Sequence, residues 1–124
     1  MRIEIAKTSL DHMVSKLSQE SQGSSLAGFL LGHLQGEDYV VESFYLPKRA
    51  KAIGEKPVSL KSFREAKRDG VCDGVGIIGL LVYHSTASPI PAEYIQHSRE
   101  LLASQGCPDL LVTVDTYGRV EFDT

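Results

Sequence analysis

The chain has 124 residues, of which 42% are hydrophobic and 23% are charged. This length predicts one domain over residues 1–124 with a core of its own, and the composition excludes a disordered chain. The formal net charge is -3, and no apolar run reaches the roughly 18 residues that a membrane-spanning helix needs. The first ten residues lack the apolar stretch of a signal peptide, so we expect a cytoplasmic protein that does not bind a membrane.

The N-terminal part of the chain predicts a strand followed by an amphipathic helix. Residues 2–5 alternate between polar and apolar side chains, as in a half-buried strand. Apolar residues then recur at three- and four-residue intervals from 10 to 17, which indicates one buried helix face. Thr8 or Ser9 is expected to cap this helix, and Gly23 is expected to lie just past its end.

The next segment predicts an antiparallel hairpin. Residues 26–31 form a short apolar strand, and Gly28 within it indicates that another stretch of backbone approaches closely. Residues 32–38, which contain two glycines, predict the turn. Residues 39–46 predict the returning strand.

The second half of the chain alternates loops, helices and strands. Residues 48–57 are polar and without periodicity, which predicts an exposed loop, and residues 59–68 predict a short basic helix. The apolar run at 77–83 predicts a strand that is buried on both faces. A further helix is expected between Pro91, which opens it, and Gly106, which ends it.

A closing hairpin is predicted from strands at 110–114 and 119–122. The expected order is therefore β-α-β-β-α-β-α-β-β. Helices that alternate with strands of mixed direction indicate an α/β (α+β) fold, in which a curved mixed β-sheet is flanked by helices.

Positive charge is concentrated between Lys48 and Arg68. Eight basic and two acidic residues give this segment a net charge of +6, which leaves -9 for the rest of the chain. Such a run is commonly a solvated surface, and it also favours an acidic partner or head-to-tail association between copies. The candidate binding residues in this segment are Lys48, Arg49, Lys51, Lys56, Lys61 and Arg64.

A histidine follows the most apolar strand of the chain. The sequence His84-Ser85-Thr86 comes directly after the run at 77–83 and leads into a polar loop. The carboxyl end of a buried strand is where α/β proteins tend to bind ligands. His84 is therefore the first candidate for a metal ligand.

Three segments resemble the MPN domain, the fold of the JAMM-type metallopeptidases. They are the strand at 26–32, which contains GFLLG, the segment at 79–85, which ends in YHS, and the closing strand pair at 110–122. The resemblance covers nearly the whole chain and implies a cytidine-deaminase-like layout. In active members of the family, a glutamate acts as general base, two histidines and an aspartate bind zinc, and a serine supports the oxyanion. Their substrate is often the isopeptide bond between lysine and ubiquitin or a ubiquitin-like protein.

The residues at the corresponding positions depart from that pattern. The resemblance matches His84 to the first metal ligand, but Thr86 stands in place of the second histidine and Ile95 in place of the aspartate. Ser25 stands in place of the general base, and Ala92 in place of the oxyanion serine. One imidazole does not hold a catalytic zinc, and a serine does not act as a carboxylate base. We therefore expect no catalytic residue and no metal site, with His84 as a vestigial ligand.

The remaining histidines and the cysteines do not complete a site. His12 and His97 belong to predicted helices, and His33 belongs to the predicted hairpin turn. Isolated histidines of this kind are more often surface residues than ligands, since a catalytic zinc needs three converging groups. Cys72 and Cys107 show neither CxxC nor zinc-ribbon spacing, and we expect two reduced thiols.

These observations favour a catalytically silent MPN-type domain that serves as a scaffold and binds another protein. The expected partner is an active MPN subunit, a second copy in a homodimer, or a ubiquitin-like protein. The alternative is a divergent zinc-dependent isopeptidase or metallopeptidase, and zinc is an expected cofactor only in that case. A nucleic-acid-binding module is disfavoured, because Phe63 is the only aromatic residue in the basic segment and the pI is 5.8.

Overall fold

The computed structural model describes residues 2–54 and 56–124, and within them six strands form one sheet and four helices lie against it. The strands are β1 (Ile3–Ile5), β2 (Leu26–Gln35), β3 (Asp38–Tyr45), β4 (Gly76–His84), β5 (Leu110–Asp115) and β6 (Val120–Asp123). The helices are α1 (Lys7–Ser21), α2 (Ala50–Gly54), α3 (Leu60–Asp69) and α4 (Ala92–Ser104). None of the helices in these ranges is both long enough and apolar enough to cross a membrane.

The sheet is mixed, as the sequence predicts. Its strand order is β1-β3-β2-β4-β5-β6, with parallel pairing of β1 with β3 and of β4 with β5 and antiparallel pairing elsewhere. The central strands β2 and β4 pair over seven positions, from Leu26 opposite Tyr83 to Gly32 opposite Gly76. This pairing brings the start of β2 to the end of β4, where the candidate site lies.

The sheet separates two hydrophobic cores. On one face, Met13 and Leu17 of α1 are buried in the same cluster as Leu81 of β4. On the other face, Phe63 of α3 is buried against Phe29 of β2, with ring centroids 6.3 Å apart. Because side chains alternate along a strand, β4 supplies both cores, and the prediction of a strand buried on both faces is confirmed.

The predicted turn at 32–38 is wrong, because β2 continues to Gln35. The chain reverses at Gly36 and Glu37, where Gly36 has a φ of 64°. The polar end of β2 still pairs with β3, from His33 opposite Val40 onward, although it extends beyond the buried part of the sheet. Backbone pairing therefore continues where burial stops, and a hydrophobicity pattern does not detect it.

The segment predicted as an exposed loop at 48–57 contains the short helix α2. This helix packs on the start of β2, and a Cβ placed on Gly54 would lie 2.6 Å from the carbonyl oxygen of Ser25 and 2.7 Å from the Cα of Leu26. Gly28 makes an equally close approach, with its Cβ position 2.6 Å from the carbonyl oxygen of Tyr45, which confirms the prediction for that residue. Five residues are too few to show a helical period in the sequence.

Two predicted helix starts differ from the observed ones. The N-cap of α1 is Ala6, without a side-chain cap, so the prediction of Thr8 or Ser9 is wrong. The chain passes directly from β1 into the helix, which places both hydroxyl residues inside its first turn. Gly23 has a φ of 84° just past the helix end, as expected. Pro91 is the N-cap of α4 and precedes its first helical residue.

Candidate functional site

The first candidate site is the region around His84, where β4 ends beside the start of β2. His84 is the last residue of β4 and is half-buried. Antiparallel pairing of β2 with β4 brings Ser25, which precedes β2, next to Ser85, which follows β4. Neither sequence position predicts this contact alone, because it depends on the register between the two strands.

Three hydrogen bonds join these segments and a fourth lies within the loop after β4, and we call the residues Ser25, Ser85 and Ser88 the serine network. The backbone N–H of Ser85 donates to the Ser25 hydroxyl oxygen across 2.8 Å, and the Ser25 hydroxyl donates to the carbonyl oxygen of Ser88. The Ser85 hydroxyl donates to the carbonyl oxygen of Gly23 across 2.9 Å and accepts from the N–H of Ala87 across 3.3 Å. Ser25 and Ser85 are each 2% exposed. The network holds the loop after β4 to the start of β2 with neutral groups.

The other positions that the resemblance identifies differ in their burial. Thr86 and Ala92 are exposed, and Ile95 of α4 is partly buried against the core that contains Phe63. Across residues 2–54 and 56–124, no group of three or more His, Cys, Asp or Glu side chains is placed to hold a metal ion. The residues that the structure joins by hydrogen bonds in this region are Ser25 and Ser85.

Asp115 is a neighbour of His84 that the sequence analysis did not identify. Parallel pairing of β4 with β5 places the two residues opposite each other. The Asp115 carboxylate accepts hydrogen bonds from the N–H groups of Tyr117 and Arg119, at 2.8 and 2.9 Å. It therefore stabilises the turn between β5 and β6. The Asp at the start of a predicted turn was the available signal.

Two of the remaining histidines, His12 and His33, take part in local contacts. His33 lies in β2, not in the turn as predicted, with its Nδ1 3.5 Å from a carboxylate oxygen of Glu42. The ring of His12 lies 5.9 Å from that of Phe44, between α1 and β3. Cys107 is half-buried, and this burial raises the pKa of its thiol.

A second candidate site is a groove of about 560 Å³ between α3 and the segments before it. We call it the basic groove, and the residues that line it are Pro47, Lys48, Arg49, Lys56, Pro57, Ser59, Lys61, Ser62, Glu65 and Arg68. Four of the six predicted binding residues are among them. Lys51 instead donates to the side-chain oxygen of Gln22 across 2.8 Å, and Arg64 does not line the groove. Arg68 also lines the groove and was not among the predicted binding residues, although its spacing of seven residues from Lys61 is typical of one helix face.

The carboxylates beside the basic groove are held by hydrogen bonds. The Tyr45 hydroxyl oxygen lies 2.7 Å from a carboxylate oxygen of Glu65 and 3.3 Å from one of Asp69. It donates its hydrogen bond to the nearer group, Glu65. Burial, and then the hydrogen bond to Glu65, raise the pKa of Tyr45. Glu65 also accepts from the N–H of Lys48 across 3.1 Å. Arg68 contacts both oxygens of Asp69 at 2.9 Å, which lowers the pKa of that carboxyl.

No family model and no curated protein sequence matches this chain. Among solved structures, the solution structure of protein DSY2949 from Desulfitobacterium hafniense is similar to it, with 15% sequence identity and a TM-score of 0.49. The similarity covers 99% of this chain and 90% of that one.

Proposed function

We propose that this chain is an MPN-type domain without catalytic activity, which acts as a scaffold by binding another protein. The observation that supports this proposal most directly is the serine network. At the position of the general base in active MPN domains, Ser25 is buried and hydrogen-bonded to the loop that follows His84. The proposed partner is an active MPN subunit, a ubiquitin-like protein or a second copy of the chain.

The arrangement of the sheet and helices is also compatible with the proposal. A mixed sheet with helices on both faces is compatible with the MPN domain and its cytidine-deaminase-like layout. Within it, the strand that contains GFLLG pairs with the strand that ends in YHS. Two of the three segments that carry the resemblance are thus direct neighbours in the sheet.

The chemistry of hydrolysis explains why a chain with Thr86, Ile95 and Ser25 at these positions is proposed to lack activity. A catalytic zinc needs three protein ligands and lowers the pKa of its bound water to about 7, and a carboxylate then accepts the proton. Thr86 and Ile95 supply neither imidazole nor carboxylate, and His84 alone binds zinc weakly. The Ser25 hydroxyl is occupied as both donor and acceptor. The proposed function therefore involves binding and no bond cleavage.

Metal content and isopeptidase activity test this proposal together. Untagged protein is purified without chelator, its zinc is measured by mass spectrometry, and cleavage of an isopeptide-linked ubiquitin substrate is followed with and without EDTA. We expect less than about a tenth of an equivalent of zinc, and no cleavage that EDTA abolishes. His84→Ala serves as the matched control and should be indistinguishable from the unmodified chain.

The opposite result would favour a divergent zinc-dependent isopeptidase or metallopeptidase. About one equivalent of zinc, lost in His84→Ala, would mean that ligands from elsewhere or from a partner chain complete the site. Cleavage that is lost together with the metal would overturn the scaffold proposal.

A further inference from the structure

We propose that the basic groove binds an extended acidic segment of the partner protein. This inference rests on the proposed function, because it names the chemistry of the partner. Five cationic side chains line the groove: Lys48, Arg49, Lys56, Lys61 and Arg68. Among the described lining residues, Glu65 is the one carboxylate. The groove therefore presents a large excess of positive charge to an occupant.

The cations that line the groove are mostly free to bind a partner. Within the part of the chain that the structure describes, Lys48, Arg49, Lys56 and Lys61 form no ion pair. All four are exposed. The Glu65 carboxylate already accepts hydrogen bonds from the Tyr45 hydroxyl and from the N–H of Lys48. It is therefore less available to form ion pairs with the neighbouring ammonium groups.

The length of the groove favours an extended occupant over a compact anion. Lys61, Glu65 and Arg68 follow one another along one face of α3, and seven residues of helix span about 10 Å. A single phosphate or sulfate contacts only the cations within about 4 Å of it. Three residues of an extended peptide cover about 10 Å, so carboxylates on such a segment reach cations at both ends.

The composition of the groove favours a peptide over a nucleic acid. No aromatic side chain is among the described lining residues, whereas single-stranded nucleic acids are generally held by stacking of their bases on aromatic rings. The rest of the chain carries a charge of -9, which repels a long polyanion that extends beyond the groove. Pro57, which is partly exposed, adds apolar surface for the backbone and methylene groups of a peptide.

The test is a binding measurement with a synthetic peptide of defined charge. A fluorescein-labelled peptide of about twelve alternating glutamate and serine residues is titrated with the full chain, and its anisotropy is followed at about 50 and 200 mM salt. We expect saturable binding that weakens at the higher salt concentration. A peptide with glutamine in place of every glutamate is the ligand control and should not bind.

Paired charge reversals locate the binding surface. The double variant Lys56→Glu with Lys61→Glu should weaken binding at least about tenfold. Lys7→Glu with Arg119→Glu changes the net charge equally at exposed positions outside the groove, and should retain most of the affinity. If the first double variant fails to fold, as judged by circular dichroism, Lys56→Gln with Lys61→Gln replaces it.

Three results would overturn the proposal. They are equal binding of the glutamine peptide, an equal loss of affinity in both double variants, and tighter binding of a single-stranded oligonucleotide of the same charge. Each of them would leave the zinc and isopeptidase measurements unchanged. Conversely, EDTA-sensitive cleavage with intact peptide binding would overturn the non-catalytic function and leave the groove assignment standing.

Discussion

The backbone N–H of Ser85 donates to the side-chain oxygen of Ser25 across 2.8 Å, although sixty residues separate them in the chain. The bond joins the end of β4 to the start of β2, its neighbour at the centre of the sheet. The Ser25 hydroxyl in turn donates a hydrogen bond to the carbonyl oxygen of Ser88, so the same side chain contacts both ends of a short loop. The hydroxyl group of Ser25 therefore stabilises this loop through hydrogen bonds that an alanine side chain cannot form.

Ser25→Ala is expected to lower the free energy of unfolding by about 1–3 kcal/mol, because it leaves a buried N–H and a carbonyl group without a partner. Urea denaturation measures the change. Ser24→Ala is the matched control, since Ser24 is half-buried and has no side-chain hydrogen bond within the described part of the chain, and its effect should stay within about 0.5 kcal/mol. Equal effects of the two substitutions would contradict the role of the network.

Gly54→Ala is expected to destabilise the chain by about 1–3 kcal/mol, because the added methyl group would meet the backbone of Ser25 and Leu26. The sign is informative, since the same change in a free helix is stabilising by about 1 kcal/mol. Gly76→Ala is the comparison, because no atom lies within 4 Å of the added Cβ there. Thermal unfolding of both variants distinguishes the two environments, and a gain in stability for Gly54→Ala would mean that α2 does not pack on β2.

Arg99→Ala is expected to cost about 1 kcal/mol at neutral pH. The side chain of Arg99 is 15% exposed and donates two hydrogen bonds to Asp109, at 2.8 and 3.0 Å, and one to Asp123, at 2.7 Å. These contacts join α4 to the end of β6. Arg99→Lys keeps the charge without the planar fork, and should retain part of the stability.

The contribution of Arg99 should depend on pH. The hydrogen bond from Arg99 lowers the pKa of Asp123, so the unfolded state binds a proton at a higher pH than the folded state does. This stability is present above the unfolded pKa of about 4 and is lost as the pH falls through the lower folded pKa. Urea unfolding between neutral and acidic pH should show the difference between the unmodified chain and Arg99→Ala shrinking. A difference that stays constant would rule out the ion pair as its origin.

Tyr45→Phe is expected to lower the free energy of unfolding by about 1 kcal/mol near neutral pH, because the hydrogen bond to Glu65 is lost. The raised pKa of Tyr45 makes this contribution complete below the unfolded value of about 10, and it is lost as the pH rises through the folded pKa. An absorbance titration should show one tyrosine ionising later than the others, and the late phase should vanish in Tyr45→Phe. Tyr117→Phe, at a position that is 87% exposed, should leave that phase intact.

The parts of the fold that the sequence predicted are those in which local pattern and burial coincide. The apolar run of β4 and the spaced apolar residues of α1 each face the interior along their length, so hydrophobicity alone reveals them. The end of β2 near His33 and the helix α2 were missed. The first is held by backbone pairing without burial, and the second is a single turn that packs through Gly54.

For the candidate sites, residue identity determined the chemistry that is excluded. A threonine, an isoleucine and a serine at positions 86, 95 and 25 do not supply an imidazole or a carboxylate in any conformation, so the sequence suffices for that expectation. Residue identity alone also determined the excess of positive charge between Lys48 and Arg68.

Only the tertiary structure decided which of these residues meet. The contact between Ser25 and Ser85 depends on the register of β2 against β4, and the alignment of His84 with Asp115 depends on the parallel pairing of β4 with β5. The selection of Lys48, Arg49, Lys56, Lys61 and Arg68 as one groove depends on the face that α3 turns toward the segments before it. Contacts between residues far apart in the chain follow from packing of whole elements, and a one-residue change of register would replace the contacts across each strand pair.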